Sequence, residues 1–513
     1  MNADNGQPPD DHRRLVPVED QAELFVDSVD ERASNSSSLS EAQSRNSADM
    51  PKFQVLAYSI GHFYNDLCSS MWFTYLMIYL EKVVLLRSSR AGFLMLIGQA
   101  TDALCTPLVG LLSDAGTLPQ FLLKCGKRKA WHLIGTILVS TSFPLIFFGR
   151  CSFLVGRSEW WQILWFAAFI FLFQCGWASV QISHLAMIPE LSSCASTRVS
   201  MNSYRYAFGV IANLAVFISM YLLLRGDGEK TIGPNDLRFF KEIAIGVVGV
   251  GLVVVLIFYL SIKEPVRRVD RRISLSTETS RIVEMRWKCW FTERNFYLVA
   301  LLYMFCRLFI NISQVYFPFY ITLARDMPKS YVAVLPMLSY TSSFVVSCLM
   351  GSSCVNRVLN RKMLFMFGAV LSVLISGLFY FTTDHISIYL IALLMGTAQS
   401  TLLISSLGTT AQLINKNTET GAFVYGSMSF LDKLSNGVAY QVIELINPTC
   451  DAKDPHVACM KFYRAVMTFV PGACVLAIIL LLFFLNIDEL GTRRANRRER
   501  EQASPELLND PFD

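Results

Sequence analysis

Apolar residues in this chain come in blocks of about twenty or more, separated by short polar breaks, a pattern that predicts membrane-crossing helices. Twelve such blocks are readable, at 54–81, 91–113, 130–149, 161–187, 203–224, 240–262, 295–322, 331–353, 362–381, 386–413, 421–446 and 462–486. One long polar segment separates the first six from the last six. The expected fold class is therefore an all-α polytopic membrane protein, with twelve transmembrane helices in two six-helix bundles. The expected division is a polar tail at 1–52, a first bundle at 53–262, a basic linker at 263–294, a second bundle at 295–487 and a polar tail at 488–513.

Composition agrees: 53% hydrophobic and 12% aromatic residues over 513 positions exceed what a soluble domain buries. Charge then adds orientation. The linker carries Lys263, Arg267, Arg268, Arg271, Arg272, Arg281, Arg286, Lys288 and Arg294, whereas the break at 225–239 has only Arg225, Lys230 and Arg238. Lys124, Lys127, Arg128 and Lys129 after the second span, and Arg493 to Arg500 after the last, fall on the linker's side. By the positive-inside rule that side is cytosolic, and so are both termini. The net charge of +5 comes from arginines and lysines flanking spans, which implies membrane lipid headgroups as partners and gives no argument for nucleic acid. The first 52 residues contain no apolar signal region and read as a disordered tail.

Several chemistries find no support. There is no nucleophile elbow, phosphate loop or dinucleotide fingerprint, so no enzyme and no cofactor is expected. The thirteen cysteines contain no C-x-x-C. His62, His132, His184, His385 and His456 are too far apart in sequence to suggest a metal set. Cys450 and Cys459 differ from the rest, since both fall in the non-cytosolic loop before the last span, and are candidates for a disulfide.

Charges inside the spans are the positive signal, because each is expensive in a bilayer unless it has work to do or a partner. Gly110-x-x-x-Asp114 at the end of the second span, followed by the basic run Gly126-Lys-Arg-Lys129, fits a charge-latched turn between helices. Gly351, Arg357, Arg361 and Lys362 form a degenerate counterpart after the eighth span. Six plus six helices with a basic central loop is the layout of alternating-access transporters.

Four motifs in order carry a resemblance over nearly all of 54–487: Asn65-Asp66 with Trp72-Phe-Thr-Tyr-Leu; Asp102, Pro107, Gly110 and Asp114; Met187-Ile-Pro-Glu-Leu191 with Arg198 and Arg205; and Gly421, Gly426, Phe430, Lys433 and Gly437. They resemble the major facilitator superfamily and, within it, the glycoside-pentoside-hexuronide cation symporters. The resemblance stops at two places. Thr106 stands where the sodium-coupled sugar symporters have a second carboxylate, and Gln181 and Leu185 stand where they hold sugar with an aspartate and a tryptophan. Gly176-Trp-Ala-Ser-Val-Gln-Ile-Ser-His-Leu185, Tyr58-Ser-Ile-Gly-His62, Cys105-Thr-Pro-Leu-Val-Gly110 and Arg128-Lys-Ala-Trp-His132 are similar instead to a eukaryotic branch that imports cysteine into lysosomes and melanosomes. What this implies is cysteine transport into an acidic organelle, in a multi-pass lysosomal membrane protein.

A zwitterionic amino acid needs an anion for its ammonium and a cation for its carboxylate. Asp66 and Asp102 are candidates for the first, Arg307 and Lys433 for the second, with mutual ion pairing as the plainer alternative. Gln99, Gln181, His184, Asn311, Gln314 and Gln399 are candidate cavity residues, with helix-to-helix hydrogen bonding the plainer reading. Asp114, Arg128, Glu190 and Arg198 are candidates for a gate at the cytosolic helix ends. Weak dileucine-like and Asp510-Pro-Phe512 motifs in the tails make sorting adaptors candidate partners. A proton stays open as co-substrate. A proton-coupled sugar symporter, and a non-transporting receptor or scaffold, stay open as alternatives.

Overall fold

The computed structural model describes residues 50–149, 158–192, 194–226, 231–264, 287–350, 361–382, 385–414, 420–448, 455–485 and 490. Among them all regular structure is helical. The first span, α1, is helical over Lys52–Ser59 and Phe63–Ser70, tightens to a 3-10 turn at Ile60–His62, and widens to π turns at Met71–Tyr75 and Tyr79–Val83. The rest are α2 (Ser88–Ala115), α3 (Lys127–Phe147), α4 (Glu159–Leu191), α5 (Ala195–Leu224), α6 (Leu237–Ser261), α7 (Arg294–Phe319), α8 (Tyr331–Met350), α9 (Arg361–Phe381), α10 (His385–Ile414), α11 (Gly421–Ile446) and α12 (Pro455–Phe484).

Ten of these are long and apolar enough to cross a membrane on those grounds alone. The two that are not, α1 and α11, are the polar ones. The 3-10 and π turns break α1 into short pieces, and α11 carries Asp432, Lys433 and Glu444, all turned inward. Apolar side chains such as Leu260, Phe381 and Phe483 stand exposed on the outer surface, where lipid replaces water as the solvent.

Within the first half, α3 and α4 approach most closely at two glycines. A Cβ on Gly135 would lie 2.7 Å from the Gly176 carbonyl oxygen, and one on Gly176 2.9 Å from the Gly135 oxygen. Small residues at such a crossing let backbones pack directly, which is how helices associate when no hydrophobic effect drives them together. The start of α3 and the end of α6 cap one another. Glu264 accepts hydrogen bonds from the backbone N–H groups of Arg128 and Lys129, both at 2.9 Å, while Lys129 donates to the Tyr259 carbonyl at 2.7 Å. An anion thus meets a helix N-terminus and a cation meets a C-terminus.

The halves repeat one another. After α7, a π turn at Tyr320–Ala324 mirrors the one at Tyr79–Val83. Each is followed by a residue with positive φ, Leu85 at 61° and Asp326 at 50°. The closing bonds also correspond, Leu86 N–H to Leu80 O and Met327 N–H to Ile321 O. Of the repeat expected from sequence, Gly351 and Arg357 lie outside the described residues. The halves meet where α2 packs on α11, where α5 packs on α8, and where the Met71–Tyr75 turn packs on α7.

Gly135→Ala is expected to destabilise the protein by about 1–3 kcal/mol, because the new methyl meets backbone that cannot move aside. Gly377→Ala, inside α9 where nothing lies within 4 Å, is the control and is expected to leave the thermal midpoint in detergent unchanged or slightly raised, since alanine is the better helix former.

Candidate functional site

Two adjacent residues of α11 organise the middle of the molecule. Lys433 crosses the seam to Asp102 on α2, with Nζ 2.8 Å from Oδ1, and donates to Thr106 Oγ1 at 2.8 Å. Thr106 sits one helical turn beyond Asp102 and donates to it at 3.0 Å. Consecutive helical residues point about 100° apart, so Asp432 faces its own half. There it accepts from Arg307 Nε on α7 at 3.0 Å and from Asn436 Nδ2 at 2.7 Å. Asp432 was not among the sequence candidates, although its place inside a span gave the same signal as Lys433.

Beside these pairs lies a partly open cavity of about 360 Å³, lined by α1 and α5 of one half and α7, α8 and α10 of the other. Asp66 and Arg205 enter from the first half, and Arg307, Asn311, Gln314 and Gln399 from the second. The volume suits a small molecule. Two amides are tied back: Gln314 donates to the Tyr340 hydroxyl, and Gln399 to Ser313 Oγ at 2.9 Å. Arg205, absent from the candidate set, keeps its Nε buried without a hydrogen-bond partner. Of the candidates, Asp66, Arg307, Asn311, Gln314 and Gln399 line this cavity, and Asp102 and Lys433 do not. Gln99 is buried on α2 against Gly437 of α11, and Gln181 is half-buried on α4.

The histidines correct the reading that they are dispersed. His62 on α1, His132 on α3 and His184 on α4 converge, with ring centroids 5.8 Å apart for His62 and His184 and 5.9 Å for His132 and His184. Sequence spacing hid this because the three come from three helices. His62 Nδ1 lies 3.0 Å from Asp66 Oδ1, linking the cluster to the cavity wall. His184 is fully buried, stacked on Tyr58 at 4.2 Å, and its Nε2 donates to the Tyr58 carbonyl at 2.9 Å. Among the described residues no group of histidine, cysteine and carboxylate side chains is placed to hold a metal ion.

At the basic end Arg128 gathers three of the four gate candidates' elements. Its Nε donates to Glu190 at 3.1 Å, Nη1 to Ser113 Oγ at 2.8 Å, and Nη2 pairs with Asp114. Gly116, with φ 65°, ends α2 in the left-handed conformation that lets the chain turn back toward Arg128. Arg198 stands in the first turn of α5. All four belong to the first half.

The opposite end is different, because there the contacts join the halves. Lys329, before α8, meets Asp236, before α6, at 2.6 Å, with side chains 1% and 0% exposed. Nearby, Tyr463 of α12 donates to Glu81 of α1, while Asn447 donates to Glu444 at 2.9 Å and to the Tyr463 hydroxyl at 3.0 Å. Lys329 lies in the turn before α8 and Asp236 in the 3-10 turn Pro234–Asp236 that leads into α6, and neither gave a sequence signal. Cys459, in the second turn of α12, is disulfide-bonded; Cys450 lies outside the described residues.

Residues 57–489 match the family model described as MFS/sugar transport protein. The chain belongs to the major facilitator superfamily. It is similar to major facilitator superfamily domain-containing protein 12 of Equus caballus, 41% identical over 83% of this chain and 91% of that one. The Homo sapiens protein of the same name is 39% identical over 87% and 95%. Among solved structures, the xylose transporter XylE from E. coli shares the fold, with a TM-score of 0.58 and 15% identity over 86% of this chain and 99% of that one. This facilitator is a multi-pass membrane transporter of small molecules and not an enzyme.

Breaking the Arg307–Asp432 pair leaves a nearly buried charge alone. Arg307→Gln and Asp432→Asn are each expected to cost about 3 kcal/mol, the low end for a buried pair because Arg307 borders the cavity. The double variant should unfold at a higher temperature in detergent than either single one, since it strands no charge.

Proposed function

We propose that this facilitator imports cysteine into lysosomes or related organelles by alternating access. The observation that carries the reading is the charge pattern of the cavity: Asp66 on one wall, Arg205 and Arg307 on the others. Asp66 would take the substrate ammonium. Arg205, with a buried N–H to spare, would take the carboxylate, and Arg307, already committed to Asp432, would add its field. A thiol side chain adds little volume, which a small cavity tolerates. The similarity to the named mammalian relatives supports the same branch.

The basic end is read as cytosolic, with both termini there, by the positive-inside rule. A disulfide at Cys459 on the opposite end fits an oxidising lumen, and Cys450 is its proposed partner. Sodium coupling is disfavoured, because the Lys433 ammonium already occupies the Asp102 and Thr106 oxygens where a metal cation would sit. A proton is the favoured co-substrate. Asp114, Arg128, Glu190 and Arg198 are read as a charged rim that the second half meets when the basic end closes. Sorting adaptors would read the tails, which lie outside the described residues.

A sugar is the second reading, favoured by the family model's description and by the cavity amides Asn311, Gln314 and Gln399. Uptake into proteoliposomes of labelled cysteine, cystine and a hexose separates them. Saturable cysteine uptake, reduced at least tenfold in Asp66→Asn and Lys433→Gln, is the expected result. Hexose uptake without cysteine uptake would establish the sugar reading; no flux from demonstrably folded protein would favour the receptor or scaffold.

A further inference from the structure

The outer face of the first half carries a second cavity, separate from the central one and open along the side where lipid would lie. Its volume is about 430 Å³, and its walls include Phe63 and Leu67 from α1, Val216, Ser219 and Leu222 from α5, and Glu242 and Gly246 from α6. Gly246 makes room for it, since nothing lies within 4 Å of the place a Cβ would take. The lining is apolar apart from one charge. Glu242, five residues after the start of α6, is exposed, and among the described residues its carboxylate has no hydrogen-bond or ion-pair partner. The nearest cations in sequence, Arg225, Arg238 and Lys241, are not in the lining, and the guanidinium groups of Arg225 and Arg238 lie over the rings of Tyr221 and Phe239. From Glu242 to Ser261 the helix rises about 28 Å, nearly the ~30 Å of a hydrocarbon core. The carboxylate therefore stands where hydrocarbon gives way to headgroups, at the end opposite the basic face. A charge in that position is costly unless something answers it.

We propose that this groove is a sterol-binding site, with the sterol hydroxyl donating to the Glu242 carboxylate and the fused rings lying along α5 and α6 over Gly246. A sterol is a rigid apolar plate with one hydroxyl donor at its end, and the groove offers the complement of each part. The acceptor sits at the mouth, at headgroup level, and carries a full negative charge, which strengthens a hydrogen bond from a hydroxyl. A phospholipid in the same place would bring its phosphate against that charge. Below the mouth, from Glu242 to Val250, the groove runs about 12 Å along α6. At Gly246 no side chain stands off the helix, so a flat ring system can lie close to backbone. The sequence of α5 adds an independent sign. Val216 is followed after four residues by Tyr221 and after three more by Arg225, which fits the short Leu/Val, Tyr, Lys/Arg pattern proposed for sterol contact. That pattern says little alone, but here Val216, Ser219 and Leu222 within it are residues that line the groove. This inference is independent of what the central cavity carries.

The test uses the full-length protein in phosphatidylcholine nanodiscs containing a cholesterol analogue with a photoreactive diazirine in its ring system. After illumination the adduct is located by mass spectrometry. Saturable labelling of α5 or α6 at the groove is expected, suppressed by excess cholesterol and much less by its epimer, in which the hydroxyl is inverted and points away from Glu242. Glu242→Leu removes the acceptor without breaking a contact inside the protein, and Gly246→Leu fills the groove; each should lower labelling about tenfold, the scale of one hydrogen bond to a charged group. Gly377→Leu, at an equally open glycine of the second half, should keep it. Labelling that does not saturate, or that is spread evenly over the outer helices, overturns the proposal. So does competition by a long-chain primary amine that equals or exceeds competition by cholesterol, because the occupant would then be a cationic amphiphile. If Gly246→Leu does not fold, Glu242→Leu and the epimer decide: unchanged labelling in that variant, or equal competition by the two epimers, refutes the site.

Discussion

A charge inside a membrane has to be answered within the protein, and at the centre of this transporter Lys433 of one half is answered by Asp102 and Thr106 of the other. That requirement sets much else. It places α11 against α2 along the seam, and it explains why α11 falls short on apolarity yet stays in the membrane. The neighbouring Asp432 turns the opposite way and is answered by Arg307. Two adjacent ions on one helix therefore serve two purposes, one tying the halves together and one fixing the cavity wall. Neither pair is a large source of stability, since desolvation consumes most of what attraction returns. Their contribution is to specify which faces meet.

How much of this was legible in the sequence depends on whether the signal was local. Apolar block length gave the helices, because a bilayer imposes one length on every span. Asp66, Arg307, Asn311, Gln314 and Gln399, which line the cavity, stood out as polar residues inside such blocks, and the same rule applied more strictly would have singled out Arg205, Asp432 and Glu444. The three-histidine cluster was missed for a different reason. His62, His132 and His184 share no helix, so no spacing rule connects them, and only the packing of α1, α3 and α4 brings the rings together. Lys329 and Asp236 were beyond reach altogether, since charged residues at the ends of spans are ordinary until burial makes them otherwise. The Tyr79–Val83 and Tyr320–Ala324 turns repeat in geometry with little in sequence beyond a shared first tyrosine, because a π turn is set by backbone bonding more than by side-chain identity.

The two ends of the molecule solve the same electrostatic problem in different ways, and the difference bears on motion. At the basic end Arg128 is satisfied by Ser113, Asp114 and Glu190, all in its own half, so that half can move as a body without breaking these bonds. At the opposite end Lys329–Asp236 and the Glu81, Tyr463, Asn447 and Glu444 network cross between halves, and opening must break them. A machine that alternates needs its seals to differ little in free energy from the separated state, or a modest ligand would never shift the balance. Buried polar contacts suit this role better than apolar ones. Each can exchange its partner for water at small net cost, whereas large apolar faces exposed to an aqueous vestibule would not part so readily. A seal made of carboxyl, hydroxyl and amide groups is weak because it has to open.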